Sequence, residues 1–387
     1  MLLHGYFPDE PRVAAEARAA TAAGFEVDVV GLRRPGEAAQ DVIDDVRLRR
    51  LPVEHRRGAG FASIILEYLA FTLFATIDAA RWSRRRRYDV VQVHNPPDFL
   101  VLAAIVPRLF GAKVVLDVHD IASYMFGMRF EGRLGASAAD RALRLVELCA
   151  ARASSAVLTV HEPYLQELTK HGVPKEKITI VMNSLDETLL PLPRLDAEAV
   201  DGFTIVYHGT VTPHYGVGLI VEAAGQLRDK VPGLCVEIYG DGDAISDLES
   251  RARTLGIESA LHITGYLPQS DVLRAIQGAS VGVVPNLPTP HNRFALSTKL
   301  LEYVALGVPV VSADLPTIKE YFSDEELLFF RAGDASSLAQ ALAEVAADPE
   351  SAASRAAAAR RRYESYRWEH SAAAYVDVLR RVASIDP

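Results

Sequence analysis

Short apolar runs rich in β-branched residues alternate with longer stretches of helical period along nearly the whole chain. In the first half the candidate strands are Leu2–His4, Phe25–Val30, Asp89–Val93, Lys113–Val118, Ala156–Val160 and Ile178–Met182. Between them the period predicts helices near Pro11–Ala23, Phe61–Ser83, Asp98–Phe110, Ser137–Ala153 and Glu162–His171. Near-continuous apolar strands separated by amphipathic helices indicate a parallel sheet covered on both faces. The alternating Arg47-Leu48-Arg49-Arg50-Leu51 reads as an edge strand. The first strand is short, because buried strands usually run about five or six residues. Either the domain accepts a clipped strand or the chain's true start lies upstream.

A proline-rich stretch, Pro191-Leu192-Pro193-Arg194-Leu195, is the expected linker, and the pattern then restarts. Strands are expected at Phe203–His208, Leu234–Tyr239, His262–Thr264, Ser280–Val284 and Val308–Ser312. Helices are expected at Val217–Asp229, Ile245–Leu255, Thr298–Leu306 and Ala335–Ala347. Two such units predict an α/β chain of two doubly wound, Rossmann-like domains facing a cleft. The expected boundaries are 1–190, 191–365 and a closing helical segment, 366–387.

Length and composition agree with this division. A chain of 387 residues holds two or three domains, and 49% hydrophobic with 24% charged residues excludes a disordered or collagenous chain. Cys149 and Cys235 lie far apart and match no metal spacing, so no disulfide scaffold is expected and a reducing cytoplasm is the natural compartment. Residues 1–190 balance in charge, and the remainder carries the whole net charge of -9, which argues against a nucleic-acid binder. No signal peptide is visible at Met1. Glu67 and Asp78 interrupt the apolar stretch Phe61–Trp82, so it is not expected to cross a bilayer.

The segment Phe294-Ala295-Leu296-Ser297-Thr298-Lys299-Leu300-Leu301-Glu302-Tyr303 carries the most chemistry. Ser297 suits an N-cap, Gly307 a left-handed C′ position, and Pro309 blocks continuation, which predicts a short helix between two buried strands. Its N-terminus then lies at the carboxyl edge of a parallel sheet, where open α/β folds bind ligands. Backbone N–H groups there, with Lys299, favour a phosphate. Glu302, one turn on, is placed to accept hydrogen bonds from vicinal hydroxyls. The plainer alternative makes Glu302 and Lys299 solvated helix residues.

This block, with Tyr207-His208-Gly209-Thr210 before it, resembles glycosyltransferase family four, retaining enzymes of the GT-B fold that use a nucleotide-sugar donor. The resemblance implies that Glu302 binds the nucleotide ribose, as the second residue of the family's Glu-x7-Glu. Phe294 stands where the first Glu contacts the donor sugar. In Leu116-Asp117-Val118-His119-Asp120 the resemblance makes His119 the residue facing that sugar. Asp120 is expected to fix its tautomer. In the loop Gly209–Gly216, Thr210, His214 and Tyr215 replace the family's Arg and Lys. The diphosphate is therefore expected at backbone N–H groups near Gly209, Gly216, Ser297 and Thr298, neutralised by Lys299 and Arg293. Gly240 matches the family's turn beside the nucleotide, and Tyr266 and Leu267 the segment meeting the base. Asp241 and Asp243 mimic a metal-binding Asp-x-Asp, but no metal is expected. Near the N-terminus, Arg12 is expected to offer a side-chain donor to phosphate in place of the family's glycines.

The function so implied is retaining transfer of a sugar from a nucleoside diphosphate, UDP or GDP, to a hydroxyl of a glycan, lipid-linked glycan or small molecule. His119 and Lys299 are the expected catalytic residues, and no cofactor besides the donor is needed. The N-domain would be the acceptor side and 191–365 the donor-binding domain. A nucleotide-sugar epimerase and a catalytically idle binding subunit are the alternatives. The expected location is cytoplasmic. Arg84-Arg85-Arg86-Arg87, the apolar helix before them and the loop Met125–Phe130 together could form a surface for peripheral membrane contact; the plainer alternative makes the helix core and the arginines a solvated face.

Overall fold

The computed structural model describes residues 1–55, 60–125, 136–191 and 202–384. Most of the expected linker and nearly all of the apolar loop 125–130 lie outside the described residues. The chain divides into two compact units, Met1–Asn183 with Glu369–Pro387, and Ser184–Trp368. The divisions fall at 183–184 and 368–369 rather than at the expected 190–191 and 365–366. Hydrogen bonding explains the shift. The Ser184 hydroxyl donates to the Tyr366 carbonyl, the Tyr363 hydroxyl lies 3.0 Å from Glu187 Oε1, and the Trp368 N–H donates to the same oxygen at 3.0 Å.

Unit 1 is an eight-stranded sheet. Its strands are β1 Leu2–Leu3, β2 Asp28–Leu32, β3 Gln40–Ile43, β4 Val46–Leu51, β5 Val90–His94, β6 Lys113–Val118, β7 Ala156–Thr159 and β8 Ile178–Ile180. Their spatial order is β3-β4-β2-β1-β5-β6-β7-β8. All pairings are parallel except β3 with β4. The 47–51 segment is therefore not the edge strand it was expected to be. A tight turn at Asp44 and Asp45, with φ of 49° and 64°, folds β3 back and covers it. The two-residue β1 is central, paired on both sides, and both its leucines are buried.

Helix Phe61–Ser83 packs on the segments Asp98–Ala104, which is 3-10 rather than α, and Ile105–Leu109. By length and composition its Ala62–Ser83 portion meets the size of a membrane span. Two polar side-chain contacts tie it to the rest of unit 1: Glu67 Oε1 lies 2.9 Å from His4 Nε2, and Asp78 accepts from Arg49 at 2.8 Å. Phe71, Ala75 and Ala79 face the core, while Leu66, Leu69, Leu73 and Ile77 form an exposed stripe at helical spacing.

Unit 2 is a six-stranded, all-parallel sheet. Its strands are β9 Phe203–His208, β10 Leu234–Tyr239, β11 Leu261–Ile263, β12 Val281–Val284, β13 Val310–Ala313 and β14 Leu328–Phe330, in the order β11-β10-β9-β12-β13-β14. Successive strands run outward from β9 on one side and from β12 on the other. The order reverses between these two, and there an open α/β sheet leaves a crevice at its carboxyl edge. In unit 1 the same reversal falls between β1 and β5. The loops leaving β9 and β12, and those leaving β1 and β5, therefore hold the candidate chemistry.

Candidate active site

In unit 2 the crevice is bounded by the loop after β9, the segment 285–297 and helix Thr298–Leu306. The helix buries Lys299 through Ala305, because Leu300, Leu301, Val304 and Ala305 pack into the core around it. Ser297 occupies the N-cap with no side-chain capping bond, and Thr298 is exposed. The first-turn N–H groups thus lack a side-chain acceptor, which is the arrangement that receives an anion.

Lys299 is 9% exposed. Its Nζ lies 3.3 Å from Ser297 Oγ, 5.1 Å from the centroid of the Tyr207 ring and 5.4 Å from that of Tyr215. Among the described residues it forms no ion pair. Burial pulls its pKa down from 10.5 to about 8. A buried ammonium in contact with ring faces and a hydroxyl, with Glu302 acting on it only from beyond ion-pair distance, is an incomplete electrostatic arrangement, and an anion completes it.

One turn on, Glu302 is also buried. Its Oε1 accepts from Gln269 Nε2 at 2.9 Å, and its Oε2 lies 3.0 Å from His208 Nε2, off the line of a hydrogen bond. Burial raises its pKa to about 7, opposed by the Gln269 bond and the Lys299 charge. The same burial, with Lys299 nearby, lowers His208 to about 3, so the imidazole is neutral. Glu302 is thus a carboxylate whose neighbours are uncharged apart from Lys299.

The glycines serve main-chain packing at this edge. A Cβ on Gly240 would stand 1.9 Å from the Gly209 carbonyl oxygen, so the loops after β9 and β10 touch backbone to backbone. Gly216 begins helix Val217–Leu227 at φ 72°, and a Cβ there would meet the Pro285 carbonyl at 2.1 Å. Asn292, fully buried, donates to the carbonyls of His214 and Leu287 at 2.9 Å each and fixes the 285–297 segment to the loop after β9.

Unit 1 places a buried polar network at its own carboxyl edge. Arg12 Nε and Nη2 form a bidentate pair with Asp117 at 2.8 and 2.7 Å. Its Nη1 donates to the Val181 carbonyl and Asn183 Oδ1, both at 2.7 Å, and Nη2 also lies 3.2 Å from Glu16. Four of the five guanidinium N–H groups thus donate hydrogen bonds, and Nη2 adds the ion pair with Glu16. The expectation that Arg12 offers a donor to phosphate is corrected: its hydrogens go to Asp117, Val181 and Asn183, and its charge is held between two buried carboxylates. Burial would raise Asp117, but the Arg12 charge and the surrounding bonds hold it well below the usual carboxylate range.

His119 lies at the mouth of this network. Its ring Nδ1 is 3.7 Å from Asp117 Oδ2, a charge contact rather than a hydrogen bond. Burial lowers its pKa, but the Asp117 carboxylate outweighs that and the net shift is upward. The carboxylate beside His119 is thus Asp117 rather than the expected Asp120. The backbone N–H groups of both His119 and Asp120 point to Asn95 Oδ1, at 3.0 and 3.3 Å. Asn95 in turn donates to Asp98 and to the Asp120 carbonyl. His94, Asp117 and His119 stand close enough to share a metal ion. Arg12 already neutralises Asp117 there, and its positive charge opposes a second cation.

Two family models match the chain: a glycosyl transferase 4-like domain over residues 10–184 and glycosyl transferases group 1 over residues 202–348. The glycogen synthase of Mycobacterium tuberculosis is 27% identical over 304 residues, 76% of this chain and 69% of that one. The sucrose-phosphate synthase of Thermosynechococcus elongatus superimposes with a TM-score of 0.78 at 18% identity, covering 97% of this chain and 93% of the other. HepE of Anabaena, solved in complex with UDP-glucose, has a TM-score of 0.72 at 14% identity and covers 98% of each chain.

The chain is a nucleotide-sugar glycosyltransferase of the GT-B fold. Neither the epimerase nor the idle-subunit alternative is favoured by these relatives.

Within the glycosyltransferase, the structure brings Gly209, Ser297, Thr298, Lys299 and Glu302 to one edge of unit 2, with Gly209 against the Lys299 side chain. Thr210 is exposed, and its carbonyl accepts from the Tyr207 hydroxyl at 2.7 Å. Tyr266 is 70% exposed, and Leu267 packs on the margin of the core. Arg293 is exposed, its carbonyl accepting from Thr317 Oγ1, and Phe294 is half-buried beside it. Sequence reasoning missed Gln269 and Asn292 in unit 2, and Glu16, His94 and Asn95 in unit 1. Tyr207, His208, Tyr215 and Asp117 stood inside motifs that had been singled out, without the contacts they make here.

Proposed function

We propose that the donor's diphosphate sits at the N-terminus of helix Thr298–Leu306 beside Lys299, with its ribose hydroxyls on Glu302. Transfer would then proceed with retention at the anomeric carbon. The observation that carries this reading is the buried Lys299 ammonium, which has no ion pair among the described residues. In the proposed reaction the bond from the anomeric carbon to the diphosphate oxygen breaks. The acceptor oxygen bonds to the same face, and its proton passes to the departing phosphate oxygen. Charge placed in advance where the leaving group develops its own is the main catalytic contribution of such a site. His119 is the unit 1 residue proposed to meet the transferred sugar. The complex of HepE with UDP-glucose favours a uridine donor. A thermal-shift series over UDP, GDP, ADP and TDP tests the donor assignment, since a ligand of the native state raises its stability. Nuclear magnetic resonance of the product tests retention: an axial donor must give an axial glycoside, and an equatorial product refutes it.

The acceptor is proposed to be met at an anionic membrane surface. The stripe Leu66, Leu69, Leu73 and Ile77 lies beside a helix-to-helix contact whose outer residues Leu102, Ile105, Leu109 and Phe110 are also exposed. Exposed Arg81, Arg84, Arg85, Arg86 and Arg87 follow along the chain, and Arg108 lies between Ile105 and Leu109. An apolar face rimmed by arginines is what binds an acidic lipid interface.

A further inference from the structure

Apart from the donor edge, unit 2 gathers three donor atoms of different kinds on one face of its sheet. Cys235 and Glu237 stand two residues apart on β10, so both side chains leave the same face. The edge strand β11 runs parallel to β10 with His262 opposite Glu237, which brings the imidazole to that face as well. The sulfur, a carboxylate oxygen and a ring nitrogen all lie within 4.8 Å of one another, and Cys235 Sγ is 3.4 Å from Glu237 Oε1.

The sulfur-to-oxygen separation of 3.4 Å fits a tetrahedral ion, and the ring nitrogen lies within reach of the same point. With bonds of about 2.3 Å to sulfur and about 2.0–2.2 Å to nitrogen and oxygen, neighbouring ligands stand roughly 3.3–3.7 Å apart. Small rotations of the exposed His262 close the set. We infer that Cys235, Glu237 and His262 form a binding site for a borderline-soft divalent cation of the zinc type, with a fourth position open to solvent. A thiolate with an imidazole selects such an ion over magnesium or calcium, which demand oxygen ligands. Thiolate and carboxylate together carry the two negative charges that neutralise it. This distinguishes the trio from His94, Asp117 and His119, where Arg12 already supplies the positive charge. The bound ion joins the edge strand to its neighbour, and binding displaces the thiol proton.

Cobalt(II) titration of the chelator-treated full chain tests the site. The expected result is a near-ultraviolet sulfur-to-cobalt charge-transfer band saturating at one ion per chain, with one proton released and zinc displacing the cobalt. Cys149→Ser should keep the band and Cys235→Ser should lose it. His262→Ala, an exposed substitution that spares the fold, should weaken cobalt binding at least tenfold. UDP thermal shifts of each variant serve as the control for folding. A wild-type protein without the band, a band surviving in Cys235→Ser, or affinity untouched by His262→Ala overturns the site.

Discussion

Replacing Lys299 with methionine should change stability and donor binding in opposite directions. Methionine keeps the length of the side chain between Tyr207 and Tyr215 and removes the charge. Burial holds the lysine near pKa 8 in the folded chain against 10.5 in its absence. Below pH 8 the group is charged in both folded and unfolded chains, so the folded state carries the whole penalty. That penalty fades as pH rises from 8 to 10.5, over which wild-type stability should climb. A shift of this size corresponds to about 3 kcal/mol. At pH 7 the ligand-free Lys299→Met protein should therefore gain roughly 2–3 kcal/mol, read as a higher midpoint in urea unfolding. Nucleoside diphosphate affinity should fall about 10- to 100-fold, since a charge-assisted hydrogen bond contributes about 1.5–3 kcal/mol. Calorimetric titration with UDP alongside the urea curves gives both readings. A variant that is less stable, or that binds diphosphate as tightly as wild type, refutes the assignment of Lys299 as a buried cation without an ion-pair partner that awaits an anion.

Glu302 has the opposite linkage: its folded pKa of about 7 exceeds the usual carboxyl value, so its penalty is absent in acid and complete above pH 7. Glu302→Gln should thus be more stable than wild type by about 3 kcal/mol above pH 7, with the advantage vanishing toward pH 4.5, while donor affinity falls. Arg12→Met leaves the carboxylates of Asp117 and Glu16 buried without their cation and should cost about 3–5 kcal/mol in urea unfolding. A loss of under 1 kcal/mol would show that Arg12 does not anchor the network. Leu69→Glu with Leu73→Glu should abolish sedimentation with phosphatidylglycerol vesicles and leave the UDP thermal shift unchanged. Equal vesicle binding by this double variant and wild type would remove the membrane proposal.

The repeating strand and helix pattern was legible in the sequence because buried parallel strands must be apolar nearly throughout. Helix Thr298–Leu306 was legible too, since Ser297, Gly307 and Pro309 mark its ends by local backbone chemistry. Its open N-terminus and the placement of Lys299 and Glu302 on one short helix follow from spacing alone. The partners of those residues do not. Gln269 and His208 reach Glu302 from other elements; nothing near Gln269 marks it, and the motif around His208 does not show that it meets Glu302. Arg12 was expected as a phosphate donor because the resemblance placed it where the family has glycines, whereas folding brings Asp117, Val181 and Asn183 to its guanidinium. Likewise Arg47–Leu51 has the alternation of an edge strand, yet a two-residue turn supplies a further strand beside it. Local chemistry thus determined which segments are strands and helices and where a helix presents its N–H groups. Tertiary structure decided which side chains share charge, because burial and distance between residues remote in sequence set the electrostatic energy, and neither is encoded at any single position.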